Sequence, residues 1–512
     1  MPRFFDNTLS MPSLGVNKSV KLHYLMAKKI LIETSPREVR IAILKEERLE
    51  EFFLDTPFSR SLVGNIYKGK IVNIDPTLQA AFVEFGEEKN GFLPLDEIDP
   101  QYFIAKPRTR RKRIEALLQK GQPLIVQVTK DPRGEKGAYL TTYLALAGRY
   151  LVLMPNKPVK GVSLKIEEVQ RRRALKEFLS QLELPKGMGL IVRTAAAARS
   201  KRDLLNDLDY LFRLWDIIRK KAAEAPIPSL LYEELPLVLK VIRDYFTWEV
   251  KEVLVDDEAI YQGLLGFFQE FMPRYRSRLR LYKDPLPLFE RFHVEEQVKE
   301  LYQREFVLPS GGILYFDLSE ALVAIDVNTS KGKGPWDPET LAFLTNLEAA
   351  SEIPRQLRLR GLSGLIVIDF IDMADPAHKK EVERAIREGF KVDKAKVDLG
   401  SISKFGLLEL SRQRIRPSLL EISADVCPYC QGKGWIRKTA LLSEEILREL
   451  RKFALRGEGQ VKLRARPEII EYLEKERVEE LGKVGIKILF YPDSRFSFDL
   501  YEILPIKGEE GR

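Results

Sequence analysis

Hydrophobic and polar positions change period several times along the chain, and each change predicts a different element. From Met26 the text AKKILIETSPREVRIAIL alternates apolar and polar residues, which predicts strands. Between Gly64 and Thr142 come the short runs GNIYKGKIVNID, AAFVEFG, GFLP and PLIVQVTKD, separated by turn residues. Their number and spacing predict a small barrel. A basic segment, RTRRKRIEALLQKG from Arg108, interrupts it as a helix or loop insert. Residues 143–238 are mixed: LAGRYLVLMP, a helix near Ile166 to Leu182, the strand GLIVRT, and a long helix from Arg202 to Ala223. That helix carries Leu204, Leu205, Leu208, Leu211, Phe212 and Trp215 at three- and four-residue spacing, and Pro226 and Pro228 end it.

Further on, KVIRDYFTWEVKEVLVDD reads as strands and GLLGFFQEFM as a helix. GGILYFDLSEALVAIDVNTSKGKG reads as a β-hairpin, followed by a helix from Pro338 to Leu359, the strand GLIVIDF, and a helix opened by Asp375-Pro376. Alternating strand and helix here indicates α/β architecture. Cys427 to Trp435 reads as a short loop, and an α+β tail containing the helix SEEILRELRKFAL follows. Residues 1–25 show no clean period and lack the apolar core of a secretory signal, so they are expected to be a disordered extension, with Met26 an alternative initiator.

Composition narrows this multidomain α/β picture. With 512 residues, 45% of them hydrophobic, the chain supports several cored domains. Two cysteines exclude a disulfide scaffold and indicate a reducing compartment. No apolar run reaches the ~18 residues of a membrane span. The 84 Lys+Arg against 75 Asp+Glu leave +9, which favours an anionic partner. Only three histidines are present, so carboxylate or metal chemistry is a better expectation than imidazole chemistry.

Four groups of residues could carry chemistry. In the barrel, Tyr67, Phe82 and Phe92 lie on strands near Lys68, Lys70, Lys130 and Lys136. Such rings could stack on bases while the lysines follow phosphates, or the rings could be core and the lysines solvated. GNIYKGKI followed by GFLP resembles the S1 domain, an OB-fold that binds single-stranded RNA. Secondly, Asp326 and Asp369 close the strands ALVAID and GLIVID, with Asn328 two residues after the first. Two carboxylates and an amide would suit Mg²⁺, although strand-end aspartates also cap turns, as expected for Asp372 and Asp375. Thirdly, Cys427 and Cys430 form CPYC followed by QGKGW, the glycine pattern of a zinc knuckle. Structural zinc takes four ligands, so two chains each giving two thiols would share one ion; an unligated surface pair is the plain alternative. Fourthly, Arg412, Arg414 and Arg416 alternate in SRQRIRP and would share one face of a strand, while Arg193-Thr194 ends GLIVRT and Lys396 lies in KVDKAKVD.

In this order, AFVEFG…GFLP, LIVRTA, AIDVNT, GLIVIDFIDM, FGLLELSRQR and CPYCQGKG resemble the ribonuclease E/G family from Met26 to the C-terminus. The resemblance is to its compact, ribonuclease G-like members, without the long C-terminal scaffold. It implies a cytoplasmic endoribonuclease that cuts single-stranded, AU-rich RNA with Mg²⁺-activated water, leaving 5′-phosphate and 3′-hydroxyl ends. Its biology would be rRNA and tRNA processing and mRNA decay. Asp326 and Asp369 match the magnesium ligands and Asn328 the phosphate-orienting amide. Phe82, Phe92, Lys130 and Lys136 match RNA contacts, and Gly148, Val152, Arg193, Thr194 and Lys396 match a 5′-monophosphate pocket, with lysine where the family has arginine at 396. Cys427 and Cys430 match a zinc link that joins protomers into a homodimer, and dimers pair into tetramers in some members.

The implied map is an RNase H-like part from 26–60 plus 239–301, an S1 domain at 61–142, a 5′-sensor at 143–238, a DNase I-like catalytic part at 302–423, a zinc link at 424–436 and a small domain at 437–512. Two rival readings differ in class. A non-catalytic S1 RNA-binding protein would have no need of Asp326, Asn328 and Asp369; a thiol-redox protein built on Cys427 and Cys430 would not need zinc.

Overall fold

A computed structural model describes residues 27–56, 61–105, 113–132, 135–166, 168–197, 199–329 and 337–506. The N-terminal segment with Met26 and the start of the basic insert at Arg108 lie outside the described residues. The chain divides into two compact units, Met1–Ile422 and Ser423–Arg512.

In the first unit, strands Lys28–Ser35, Glu38–Lys45 and Arg48–Asp55 form an antiparallel meander. Its first strand also runs parallel to Val250–Val255, which in turn pairs parallel with Leu279–Leu281. Ile30 and Ile32 pack into one core and Leu31 into another. A strand buried on both faces needs a continuous apolar run, which is what ILI supplies. The segment beginning KVIRDYF is a helix, Leu237–Tyr245, not the expected strand. Its Val238, Val241 and Ile242 are buried at helical spacing, and this packing outweighs the strand preference of its β-branched and aromatic residues.

The barrel forms as expected. Ile66–Asp75, Ala80–Glu84, Gly91–Pro94, Tyr139–Thr141 and Pro123–Lys130 pair in sequence around it, and Ile66–Asp75 pairs with Pro123–Lys130 to close the ring. Ser229–Tyr232 adds to Ile66–Asp75. In the described part of the basic insert, Ile114–Ala116 is a single 3₁₀ turn with Ile114 buried in the barrel core.

A four-stranded sheet follows, ordered Lys160–Val162, Gly189–Val192, Leu151–Met154, Leu146–Ala147. The helices Val169–Gln181 and Lys201–Glu224 pack on it. A capping box of Ser200 and Asp203 starts the longer helix, and Leu204, Leu208, Leu211 and Ile218 are its buried stripe.

The remaining sheet of this unit has six strands in the order Glu305–Val307, Ile313–Leu318, Val323–Asn328, Gly364–Asp369, Leu407–Arg412, Val397–Ile402. The hairpin expected around GGILYFD forms, and Val323–Asn328 then pairs parallel with Gly364–Asp369. Parallel neighbours need a crossover, here the helix Pro338–Arg360, capped by Asp337. The last turns of this helix are buried although rich in charge: Glu352 pairs with Arg355, and Arg358 reaches Glu50 at 3.0 Å and Glu51 at 3.1 Å on the N-terminal meander. Asp375 caps the next helix, Pro376–Gly389, as expected.

The three arginines of SRQRIRP do not share a strand face, because the strand ends at Arg412. Arg412 is buried and pairs twice with Asp393, at 2.8 and 3.1 Å. Arg414 pairs with Glu421, and Arg416 donates to the backbone carbonyls of Phe52 and Arg358. Arg412 and Arg416 therefore spend their guanidinium donors on the fold rather than on a phosphate.

The second unit is a three-stranded sheet, ordered Lys487–Pro492, Gln460–Ala465, Tyr501–Pro505, with helices Thr439–Leu455, Pro467–Glu476 and Val478–Val484. Leu442, Ile446, Leu450, Leu463, Ile469 and Leu473 form its core. No helix among the described residues is long and apolar enough to cross a membrane.

Candidate active site

In Val323–Asn328 burial alternates strictly: Val323, Ile325 and Val327 face the core while Asp326 and Asn328 face outward. The period-2 pattern of AIDVN thus puts a carboxylate and an amide on one face. Asp326 sits directly opposite Asp369 in the parallel register with the next strand, whose C-terminal residue is Asp369. Asn328 Nδ2 donates to Asp326 Oδ2 at 2.7 Å. Asp326, Asn328, Thr329, Asp369, Asp372 and Phe405 line one open pocket. Burial, together with the negative charges of Asp326 and Asp372, pushes the Asp369 carboxyl above its ordinary range. Asp372 therefore faces the pocket, where a turn-capping role had been expected.

The loop after Asp369 is fixed from below by residues that the motifs did not single out. Asn346, fully buried, donates to Ile371 O at 2.8 Å and accepts from Ile371 N at 3.0 Å. Glu339 accepts from Ala374 N at 2.8 Å, from Asp375 N at 3.2 Å, and contacts His378 Nδ1 at 2.8 Å. Both residues come from the crossover helix, which ties the helix to the loop. Their sequence signals are slight: Asn346 is a polar residue at a buried helical position, and Glu339 is an acidic residue in the helix's first turn.

On the barrel, Phe82 and Phe92 are cross-strand partners with ring centroids 5.9 Å apart. Tyr139 extends this row, 5.6 Å from Phe92, and Lys130 Nζ lies 4.7 Å from the Tyr139 ring centre. Phe82, Phe92 and Tyr139 are half-exposed, and Lys130 and Lys136 are exposed. Tyr67 is core, only 3% exposed, while Lys68 binds Ala225 O and Lys70 pairs with Glu84. Of the three aromatics first considered, Phe82 and Phe92 are partly exposed and Tyr67 is core, and Tyr139 joins the exposed row.

Gly148, Val152, Arg193 and Thr194 come together in the small four-stranded sheet. Arg193 donates to Gly148 O and to Asp244, each at 2.6 Å, and Val152 pairs with Ile191 and Ala147. Thr194 Oγ1 lies 3.0 Å from Ser163 Oγ. Burial alone would raise the Asp244 carboxyl, but Arg193 and Arg243 beside it hold it well below the usual carboxylate range. Gly148 is required by crowding: a Cβ there would stand 2.6 Å from Asp207 Oδ2. Asp207 in turn accepts the backbone N–H groups of Arg149, Tyr150 and Leu151. Lys396 is exposed and its backbone pairs with Gln413. Lys394, two residues earlier, reaches the Asp244 carbonyl and lays its Nζ 3.2 Å from the Tyr245 ring centre. Burial pushes its pKa down to about 7, against the opposing pull of Asp244.

In the second unit, Cys427 and Cys430 flank a tight turn, with Gln431 N donating to Cys427 O at 2.8 Å and Lys433 N to Cys430 O at 3.0 Å. Gly432 and Gly434 adopt φ of +85° and +78°, conformations that side chains disfavour. The N–H groups of Gly434 and Gly432 point at the Cys430 sulfur and, with Cys427, draw its pKa below the usual thiol value. Among the described residues, no group of three or more His, Cys, Asp or Glu is placed to hold a metal ion.

Residues 145–415 match the ribonuclease E/G family, residues 62–142 the S1 RNA binding domain, and residues 426–506 the RNase E/G thioredoxin-like domain. Ribonuclease E of Escherichia coli K12 is 42% identical over 500 residues, covering 95% of this chain and 47% of that protein. Ribonuclease G of the same strain is 35% identical over 466 residues, 90% of this chain and 95% of that one. A putative ribonuclease E of Buchnera aphidicola subsp. Baizongia pistaciae is 42% identical over 401 residues, 78% of this chain and 98% of its own. The chain spans about half the length of the Escherichia, Haemophilus and other Buchnera ribonuclease E relatives. With a family match over more than half its residues and a relative aligned almost end to end, this chain belongs to the ribonuclease E/G family.

Proposed function

We propose that the chain is a magnesium-dependent endoribonuclease acting on single-stranded, AU-rich RNA in the cytoplasm, in rRNA and tRNA processing and mRNA decay. The observation that carries this reading is Asp326 held in register with Asp369, with Asn328 bonded to Asp326, in a chain whose relatives are named ribonucleases.

The donor set fits Mg²⁺. Two carboxylates and an amide are few ligands, as expected for an ion that keeps several waters. Burial and the charges of Asp326 and Asp372, which together raise Asp369, would be offset by a bound divalent cation. When bound, Mg²⁺ would supply Lewis acidity to a phosphoryl oxygen and acidify a water. The chain's own groups do the rest. Asp326 and Asp369 would hold the ion, Asn328 fixes the Asp326 carboxylate and would offer its amide to the scissile phosphate, and Asn346 and Glu339 keep the loop carrying Asp372 in place. Products would carry 5′-phosphate and 3′-hydroxyl ends, which end-mapping by mass spectrometry tests; a 2′,3′-cyclic phosphate would reject this chemistry.

In the same reading the Phe82–Phe92–Tyr139 row stacks successive bases and Lys130 and Lys136 follow the phosphates. Arg193 and Thr194, backed by Gly148 and Val152, take a 5′-terminal monophosphate, with Lys396 adding charge. Arg193→Gln should reduce the preference for 5′-monophosphorylated over 5′-hydroxyl RNA by about tenfold, the worth of one charge-assisted hydrogen bond. Cleavage of 5′-hydroxyl RNA should change little. Competition kinetics on the two substrates measure this ratio, and an unchanged ratio would exclude Arg193 from end recognition.

Cys427 and Cys430 are read as half of a structural zinc site completed by a second copy, since zinc takes four ligands and the described residues supply no further one nearby. Zinc would stabilise both thiolates and join two protomers; dimers could then pair as tetramers. Cys427→Ser should release zinc and shift the protein to monomers in sedimentation velocity. A dimer that persists after mutation and chelation would remove the shared site. The meander-bearing sheet is read as the RNase H-like part without chemistry, and the six-stranded sheet as the DNase I-like part.

A further inference from the structure

Phe405 is 70% exposed and lines the same pocket as Asp326, Asp369 and Asp372. Isolated exposed apolar residues are ordinary on protein surfaces, and by itself the exposure means little. What sets Phe405 apart is how firmly it is held there. It sits in the turn between strands Val397–Ile402 and Leu407–Arg412. Gly406 N donates to Ser403 O at 3.2 Å, Phe405 N to Ser403 Oγ at 3.2 Å, and Ser403 N to Leu407 O at 2.8 Å.

The turn is also seated against the carboxylate loop. Phe370 N donates to Gly406 O at 3.4 Å. Gly406 has φ of +79°, and a Cβ there would stand 3.3 Å from both Asp372 Oδ1 and Phe370 O, and 4.0 Å from Asp369 Oδ1. Glycine lets the turn come this close, and the consequence is that the preceding side chain, Phe405, is presented at the rim of the acidic pocket. Lys404 Nζ lies 4.9 Å from the Phe405 ring centre and covers part of the ring with positive charge.

We propose that Phe405 is a stacking platform for one base of the RNA strand at the cleavage site, with Lys404 steadying the adjacent phosphate against the acidic pocket. This rests on the nuclease reading above and adds a positioning residue to it. A phenyl ring offers no hydrogen-bond donor or acceptor, so the contact tolerates any base; it fixes where the strand lies, not which sequence is cut. The barrel row of Phe82, Phe92 and Tyr139 is a separate set of rings on other strands, so the two platforms would hold different nucleotides of one strand.

The test measures affinity for a series of short single-stranded RNAs, each with one abasic position, using the full chain in an Asp369→Asn background so that the RNA stays intact. With Phe405 present, one abasic position near the bond that wild-type protein cuts should weaken binding about tenfold. Phe405→Leu should weaken binding of the intact RNA about tenfold and show no additional loss at that position, while Phe405→Trp keeps the wild-type pattern. Losses that add independently at every position, or intact-RNA affinity unchanged in Phe405→Leu, would overturn the proposal. Absence of RNA binding throughout the series would instead contradict the nuclease reading on which it rests. The ring is exposed, so its replacement should leave the fold intact, and matching melting temperatures of the variants check this directly.

Discussion

Asp369→Asn should lower the cleavage rate by on the order of 10³-fold or more, since in the proposed reading it removes one of the two carboxylates that would hold an ion worth several kcal/mol to the transition state. RNA binding should survive, because the proposed contacts of Phe82, Phe92, Tyr139 and Lys130 belong to the barrel strands and keep all their atoms. The fold should survive as well. Asp369 sits exposed at the end of its strand, opposite Asp326 and near Asp372, and the neutral amide relieves repulsion among three carboxylates. A melting temperature at or above wild type, intact RNA affinity and lost cleavage together would place the defect in chemistry. Retained Mg²⁺-dependent cleavage would remove Asp369 from the metal site.

The second large effect is on stability. Arg412 and Asp393 are both buried, joined by two hydrogen bonds at 2.8 and 3.1 Å, and each has further partners: Arg412 donates to Leu362 O at 2.7 Å and Asp393 accepts from Ala395 N at 2.9 Å. Asp393→Ala leaves a guanidinium in the interior without its counter-charge, which costs about 3–5 kcal/mol. Replacing both partners with apolar residues of similar volume should restore much of that loss, since no charge is then stranded. Urea-unfolding midpoints of the single and double variants measure the difference. A single variant as stable as wild type would mean that water reaches Arg412.

The site was legible in the sequence where chemistry and local period coincide. AIDVN places Asp326 and Asn328 on one strand face by alternation alone, and GLIVID ends in Asp369. The barrel strands and the helix begun by Asp375-Pro376 were readable for the same reason: their signals lie within a few neighbouring residues. What escaped depends on contacts distant in sequence. Leu237–Tyr245 carries residues that favour strands, and only its partners make it a helix. Arg412 and Arg416 look like a phosphate grip until Asp393, Phe52 and Arg358 are brought to them by the fold. Asp244, the ion-pair partner of Arg193, and Lys394 beside it lie in segments far from GLIVRT. Phe405 was invisible because a phenylalanine next to a strand reads as core, and its exposure follows from the Gly406 turn.

The most direct test of the account is the cleavage rate of a short, single-stranded, 5′-monophosphorylated AU-rich RNA measured with Mg²⁺ and again with the divalent ion removed. Cutting is expected only with Mg²⁺, at internal bonds. Cleavage that continues at the same rate without any divalent ion would contradict the assignment of Asp326 and Asp369 as its ligands.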